Sequence, residues 1–357
     1  MGDLYQTATL VIVWLGAEDS TISDALVVME RLGSIGEVPR SREHFNELKA
    51  TTGQLGISVL KDRDNRPTTL GIEPITNRQW LAWVALLHRP YFQRVWVIQE
   101  VTLARSITVL CGRKTIEWEK FSAAAFFFLQ SGWHLQYHPE VANLDITDPE
   151  DRRGFELLLK RKMDAGTAAM QLVKTRKISR IGAPYTLEQL LTTHRFCKST
   201  DPRDKIYSVL GIAAKDRPPF LDAHKAECLR VDYEIPVEML YTKVARLLAE
   251  SRLDLRILDQ RESNRERFIM TLPSWVPDFS VRLLPSELCG NHKFKASGDL
   301  KWQPDGRAYS DPLLNVQGYS LGVVEAHSRS PEGMLQTPLW GSICEVACGL
   351  SDYYSTT

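Results

Sequence analysis

The chain has 357 residues and a mass of 40.6 kDa, is 43% hydrophobic and 25% charged, and balances 44 basic against 44 acidic residues. This is the composition of a soluble globular protein with one large core or two modest ones. The zero net charge excludes a global field drawing the chain to nucleic acid or anionic lipid.

The apolar run Ala8 to Leu15 follows no basic region and is too short to span a bilayer. Met1-Gly2 is a poor acylation signal because Gln6 stands where a serine or threonine is required. The expectation is a cytoplasmic chain without a membrane anchor. Thr9 to Leu15 is a continuous β-branched and apolar run closed by Gly16, which reads as a strand covered on both faces inside a parallel sheet. Only eight residues precede it, so its neighbours must come from later in the chain, from another molecule or from sequence not present. Helical periodicity follows over Ser23 to Leu32, with Asp19, Ser20 or Ser23 as cap.

Residues 33–74 are weakly patterned and read as a surface insertion with one short helix near 44–50. Asn77 then caps a helix carrying Trp80, Val84 and Leu87, which His88-Arg89-Pro90 breaks. A second helix is expected from Tyr91 to Thr102, a buried strand over Ile107 to Cys111 closed by Gly112, and a helix from Trp118 to Gln130. Residues 138–177 are charged, including Asp148, Glu150, Asp151, Arg152 and Arg153, and read as a solvated helix plus loop. Tyr185 to Phe196 is amphipathic. In the next segment Asp201 acts as cap, Pro202 takes the first helical position and Gly211 stops the helix. Pro236 opens a long helix reaching Ser251, with Leu240, Val244, Leu247 and Leu248 inward. Ser274 to Phe279 forms a rigid aromatic loop, and Asn315 to Tyr319 and Val323-Val324 read as short β pieces. The expected organisation is an incomplete parallel-sheet α/β domain over 1–135, a polar linker over 136–184, a helical extension over 185–270, and a loop and β-rich region over 271–357.

The chemistry concentrates in Arg94-Val95-Trp96-Val97-Ile98-Gln99-Glu100. On a helix Trp96 and Glu100 share one face and Arg94 and Ile98 another. Glu100 either pairs with Arg89, Arg94 or Arg105 as a packing device, whose rupture costs about 3–5 kcal/mol, or serves as a general base or charge stabiliser on a bound sugar. Asp201, Arg203, Asp204 and Lys205 form a dense cap, with Tyr207 and Leu210 on its apolar seam; no third carboxylate completes a metal site. Glycine-rich phosphate loops, nucleophile elbows, paired-histidine helices and spaced cysteine pairs are absent from the sequence, so no metal or cofactor is expected. The six scattered cysteines read as buried free thiols. His88 reads as a helix-end contact, and Trp80, Trp83, Trp96 and Trp118 read as core rather than base-stacking residues.

These residues resemble the fungal heterokaryon-incompatibility (HET) domain family. The resemblance begins at Leu4-Tyr5-Gln6-Thr7-Ala8 and Val11 to Gly16 and continues through Leu86 to Glu100, Val109-Leu110-Cys111-Gly112 and Trp118. Asp201 to Gly211, Asp232-Tyr233, Leu272 to Phe279 and Ala296-Ser297-Gly298 resemble segments found after the domain. Two earlier family blocks, a Leu-Ser-Tyr-x-Trp-Gly strand end and an Ile-Asp-x-Leu-Cys-Ile-Asn-Gln segment, do not occur, so a truncated domain is expected. The resemblance implies allorecognition linked to programmed cell death, acting through a protein partner or self-association, with inertness through truncation or a nonfunctional remnant as further readings. The family is distantly similar to Toll/interleukin-receptor (TIR) domains, which implies a TIR-like, flavodoxin-like sheet. Some of those domains cleave NAD, and Trp96 to Glu100 keeps their tryptophan-to-glutamate spacing without the cysteine. On that analogy Glu100, with Arg94, Trp96 and Gln99, is a catalytic candidate and NAD a substrate. Asp201, Arg203, Asp204, Tyr207, Trp275 and Asp278 then belong to structural motifs.

Overall fold

Two β-branched runs far apart in the sequence, Val11–Trp14 (β1) and Ile107–Cys111 (β2), pair in parallel, with Val11 beside Ile107 and Val13 beside Val109. The structure is a computed structural model that describes residues 2–37, 75–130, 164–183, 185–214, 219–220, 222–262, 266–281 and 301–317. One unit spans Met1–Asn315; of the other, Val316–Thr357, only Val316 and Gln317 are described. In chain order the helices are α1 (Gly2–Thr7), α2 (Ile22–Glu37), α3 (Asn77–Leu87), α4 (Val97–Leu103), α5 (Trp118–Gln130), α6 (Asp164–Arg180), α7 (Leu187–Thr193), α8 (Asp204–Leu210), α9 (Ala223–Glu227) and α10 (Val237–Arg252).

The expected parallel pair is present, but the sheet is mixed. A third strand, β3 (Lys114–Glu117), folds back antiparallel onto β2, giving the order β1-β2-β3. Gly112 makes this hairpin possible twice over. Its φ is +55°, and an added Cβ would lie 2.7 Å from the Glu18 backbone nitrogen. Nor is β1 covered on both faces. Val11 and Val13 point into the core, whereas Ile12 and Trp14 are 59% and 52% exposed. The alternation is that of a sheet packed on one side.

The core lies on the covered side. There α2 packs against α3 and α5, and Phe121 gathers Trp83, Phe92 and Trp118 around its ring at centroid distances of 5.5–5.9 Å. The cap of α3 is Thr76, one residue before the expected Asn77. Its hydroxyl accepts from the Gln79 N–H at 3.3 Å, while the Gln79 side chain accepts from the Thr76 N–H at 3.0 Å. Pro90 ends this helix by holding Arg89 at ψ 138°, as the sequence implied.

The continuous helix expected over Tyr91 to Thr102 is broken. A 3-10 turn, Pro90–Gln93, gives way to extended Arg94 before α4 begins at Val97. The break has a tertiary cause: the Val95 N–H donates to the Lys198 carbonyl at 2.9 Å, and the Lys198 N–H donates to the Gln93 carbonyl at 2.5 Å. Helical propensity there yields to a backbone bridge with a distant segment.

The wet surface expected for 138–177 is corrected where it is described. In α6, Ala168, Ala169, Met170, Leu172 and Val173 are buried. Small alanines supply its apolar stripe, a weak hydrophobic signal that permits close helix approach. Residues 138–163, like the helix expected near 44–50, lie outside the described residues. Helix α10 forms with Leu240, Val244, Leu247 and Leu248 inward, as expected. Among the described residues, 301–317 contain no strand, which corrects the β pieces expected there; Tyr319 and Val323-Val324 lie outside them. This segment is instead a strap. Fully buried Arg246 donates to the Leu313 carbonyl and to Asp311 O at 3.3 Å, and pairs with Asp305 at 3.4 Å. Cys111 and Cys197 are buried free thiols and Cys228 is half-buried.

Candidate functional site

Glu100 sits in the first turn of α4, half-buried. The Tyr91 hydroxyl donates to its Oε2 at 3.0 Å, and the phenol of Tyr5 from α1 lies near enough to feel the charge of the same carboxylate. Burial, reinforced by the Glu100 carboxylate, pushes both phenols above their ordinary range, with Arg94 pulling the other way. Both therefore remain O–H donors. The arginine partners expected for Glu100 are otherwise engaged: Arg89 pairs with Asp19 at 2.6 Å, and Arg105 donates to the Gln6 carbonyl at 2.8 Å. Arg94 is exposed, and half-buried Trp96 lies one turn before Glu100. The result is a carboxylate held by the Tyr91 phenol at the rim of the core, with the Tyr5 phenol nearby and an aromatic and a cation close in sequence. Such a group can accept hydroxyl hydrogen bonds or offset a developing positive charge. Sequence reasoning missed Tyr5 and Tyr91, although Tyr91 lies nine residues from Glu100.

Gln99 is not part of this cluster. Its side chain is 3% exposed and donates from Nε2 to the Tyr207 carbonyl at 3.3 Å. A Cβ added to Gly211 would come within 3.1 Å of that nitrogen. Gly211 has a right-handed φ of −69°. It caps the C-terminus of α8, the stop expected from sequence, and its small size serves close approach. Gln99 bolts α4 to α8.

The 201–211 segment is a lock. Asp201 Oδ1 accepts from the Arg203 N–H at 2.9 Å, and its Oδ2 meets the Arg203 guanidinium at 2.8 Å. These bonds hold the Asp201 carboxyl below its ordinary range against the opposing effect of burial. Regular helix starts only at Asp204, so Pro202 belongs to the preceding turn and not to the first helical position. Arg203 stacks over Tyr233 at 5.4 Å, Tyr233 donates to Asp204 at 2.7 Å, and Tyr207 donates to the Asp232 carbonyl at 2.6 Å. Asp232-Tyr233 is thereby fastened to α8.

Around Trp275 and Asp278 the polar groups are also consumed. Asp278 is fully buried and accepts from the N–H groups of Phe268, Ile269 and Ser280 at 2.8–2.9 Å. Its own N–H donates to Glu262, which bridges Arg195 at 3.0 Å and Arg267 at 2.7 Å. Trp275 donates to the Pro312 carbonyl at 2.8 Å. The sequence signal for Arg195 is a charge set directly before the apolar pair Phe196-Cys197. His194, Arg195 and Lys205 line a cavity of about 10 Å³, the size of one water and far too small for a nucleotide. Among the described residues no group of three or more His, Cys, Asp or Glu side chains is placed to hold a metal, and no helix is long and apolar enough to cross a membrane.

Two comparisons with known proteins found a likeness to heterokaryon incompatibility proteins. The family described as heterokaryon incompatibility protein (HET) matches residues 1–100. Heterokaryon incompatibility protein 6, OR allele, of Neurospora crassa is 24% identical over 359 aligned residues, covering 91% of this chain and 48% of the relative. The chain thus spans about half the length of that curated relative. An alignment covering so much of the chain necessarily includes the 201–211 and 272–279 segments. No solved structure matches.

Proposed function

On the premise that residues 1–100 are a heterokaryon incompatibility (HET) segment, we propose that the chain is an allorecognition factor acting through protein association and linked to programmed cell death. The carrying observation is the likeness to an incompatibility protein across 91% of the chain. Geometry supports it, because Gln99 and Gly211 fasten the matched segment to a motif well beyond residue 100. We read the parallel β1–β2 pair as part of a TIR-like, flavodoxin-like sheet; the support is two β-branched runs joined through intervening helices. The test is expression in a fungal strain fused with a strain lacking the chain, scored by vital-dye uptake in the fused cells. Dye uptake only in fusions carrying the chain is expected, and equal uptake in control fusions would remove the proposal.

A second reading has its own observation, the half-buried Glu100 carboxylate held by the Tyr91 phenol with Tyr5 nearby. As an NAD glycohydrolase the site would accept ribose hydroxyls on Glu100 and offset the positive charge that builds on the ribosyl carbon. The C–N bond to nicotinamide breaks, water adds to that carbon, and ADP-ribose, nicotinamide and a proton leave. Nicotinamide release that persists at the original rate in Glu100→Gln would eliminate this reading.

A further inference from the structure

The Val11 N–H donates to the Ser106 carbonyl at 2.9 Å and the Leu15 N–H to the Leu110 carbonyl at 2.8 Å. Odd-numbered residues of β1 therefore turn their backbone groups toward β2, and the groups of Leu10, Ile12 and Trp14 face the opposite edge. In the order β1-β2-β3 that edge carries no strand among the described residues. Two devices that usually blunt such an edge are missing, since residues 4–17 contain no charged side chain and no proline. The open face is also graded. Ile12 aligns with Thr108 and Glu117, and Trp14 with Leu110 and Thr115, so the face runs from apolar at β1 to polar at β3.

We propose that β1 pairs antiparallel with β1 of a second copy of this chain about a two-fold axis at Ile12. This rests on and deepens the association reading. Only a register that opposes residues of equal parity keeps Val11 and Val13 on the core side. Centred on Ile12, it exchanges both Ile12 backbone bonds with its twin and sets Leu10 against the twin's Trp14. Two apolar rows then meet at the axis, flanked by the polar β3 strands, an apolar centre with a polar rim. A two-fold places every residue near the axis against its own kind, so any charge there would repel itself. The uncharged 4–17 stretch avoids this, and the zero net charge adds no long-range repulsion between copies. A second copy suits this edge better than a charged partner does.

The test is the mass of the full chain by sedimentation across a micromolar to high-micromolar series, together with disulfide trapping. A concentration-dependent dimer is expected. Ile12→Lys opposes two cations at the axis and should weaken dimerisation at least tenfold; because Ile12 is 59% exposed, its circular dichroism and thermal midpoint should match the parent. Ile12→Cys should cross-link to its twin, about 5.5 Å away between Cα atoms. Leu10→Cys, paired with Trp14, should cross-link no more than the unsubstituted chain. A monomer at every concentration, or equal trapping at positions 10 and 12, overturns the proposal. The fusion assay separates it from the functional reading: a dimer that triggers no dye uptake leaves the pairing standing and removes the incompatibility role.

Discussion

Glu262→Gln removes one negative charge from a place where two buried guanidiniums meet it. The Glu262 carboxylate is wholly inaccessible, with Arg195 and Arg267 side chains 2% and 6% exposed at 3.0 and 2.7 Å. Glutamine keeps the volume but turns an NH₂ donor toward one of the two cations. Breaking a buried pair by deleting one partner costs about 3–5 kcal/mol, because the remaining charge stays desolvated. Here two charges remain. Both retain carbonyl acceptors, including Asp278 O for Arg195 at 2.6 Å and Val276 O for Arg267 at 2.6 Å, which keeps the loss within that range. Against a typical stability of about 5–15 kcal/mol, urea unfolding at neutral pH followed by tryptophan fluorescence should show a large midpoint drop with unchanged slope. Glu234→Gln, at an exposed position, should stay within about 0.5 kcal/mol of the parent. The difference should also depend on acidity. Burial raises the Glu262 carboxyl, but Arg267, two backbone N–H groups and Arg195 hold it net below its ordinary 4.5. Its contribution is thus full above that value and lost as pH falls through the lowered one. A loss under about 1 kcal/mol at neutral pH would refute the reasoning, since it would mean the arginines are solvated or neutral when the carboxylate is gone.

Fully buried His194 has its pKa pushed down to about 3 by desolvation, from an ordinary 6.5. The unfolded chain binds its proton first, so stability should fall as pH drops below 6.5, by about 2 kcal/mol at pH 5 relative to pH 7; a His194→Phe chain with the same steep fall in chemical denaturation would contradict this. Gly211→Ala forces a methyl to 3.1 Å from Gln99 Nε2 and should cost about 1–3 kcal/mol. The cost should shrink in a Gln99→Ala background, and additive losses would rule out the contact as its cause. Tyr91→Phe deletes the phenol bond to Glu100 and should lower stability by about 1–2 kcal/mol in thermal melts. A neutral result there would show that the bond contributes nothing net to the fold.

Long elements with one clear period were legible in the sequence. The α10 stripe, the break at Pro90 and the existence of the two β-branched strands all follow from local chemistry. What failed was set by distant partners. A run of six apolar residues, Leu10 to Leu15, says nothing about which face is covered, so its pattern alone puts Ile12 and Trp14 inside. β3 is too short and polar to register, and α6 hides its buried side among alanines. Arg94 reads as helical until Lys198 supplies backbone bonds. At the candidate site Glu100 stood out by its apolar neighbours, whereas Tyr5 reaches it from another helix. Gln99, adjacent in sequence, turned out to face a different element altogether.

The arginines of α6 carry a last consequence. Arg176 donates to the Ala104 carbonyl at 2.7 Å and to that of Val101, while Arg180 donates to Ala104 at 2.6 Å and Arg105 at 2.8 Å. Two cations thus close the negative end of a seven-residue helix, one too brief to persist unaided in water. The segment that carries the family likeness borrows its rigidity from residues beyond it. A fragment cut at residue 100 or 130 would keep the recognisable letters and lose the clamp, so the boundary of kinship in this chain is not a boundary of independent folding.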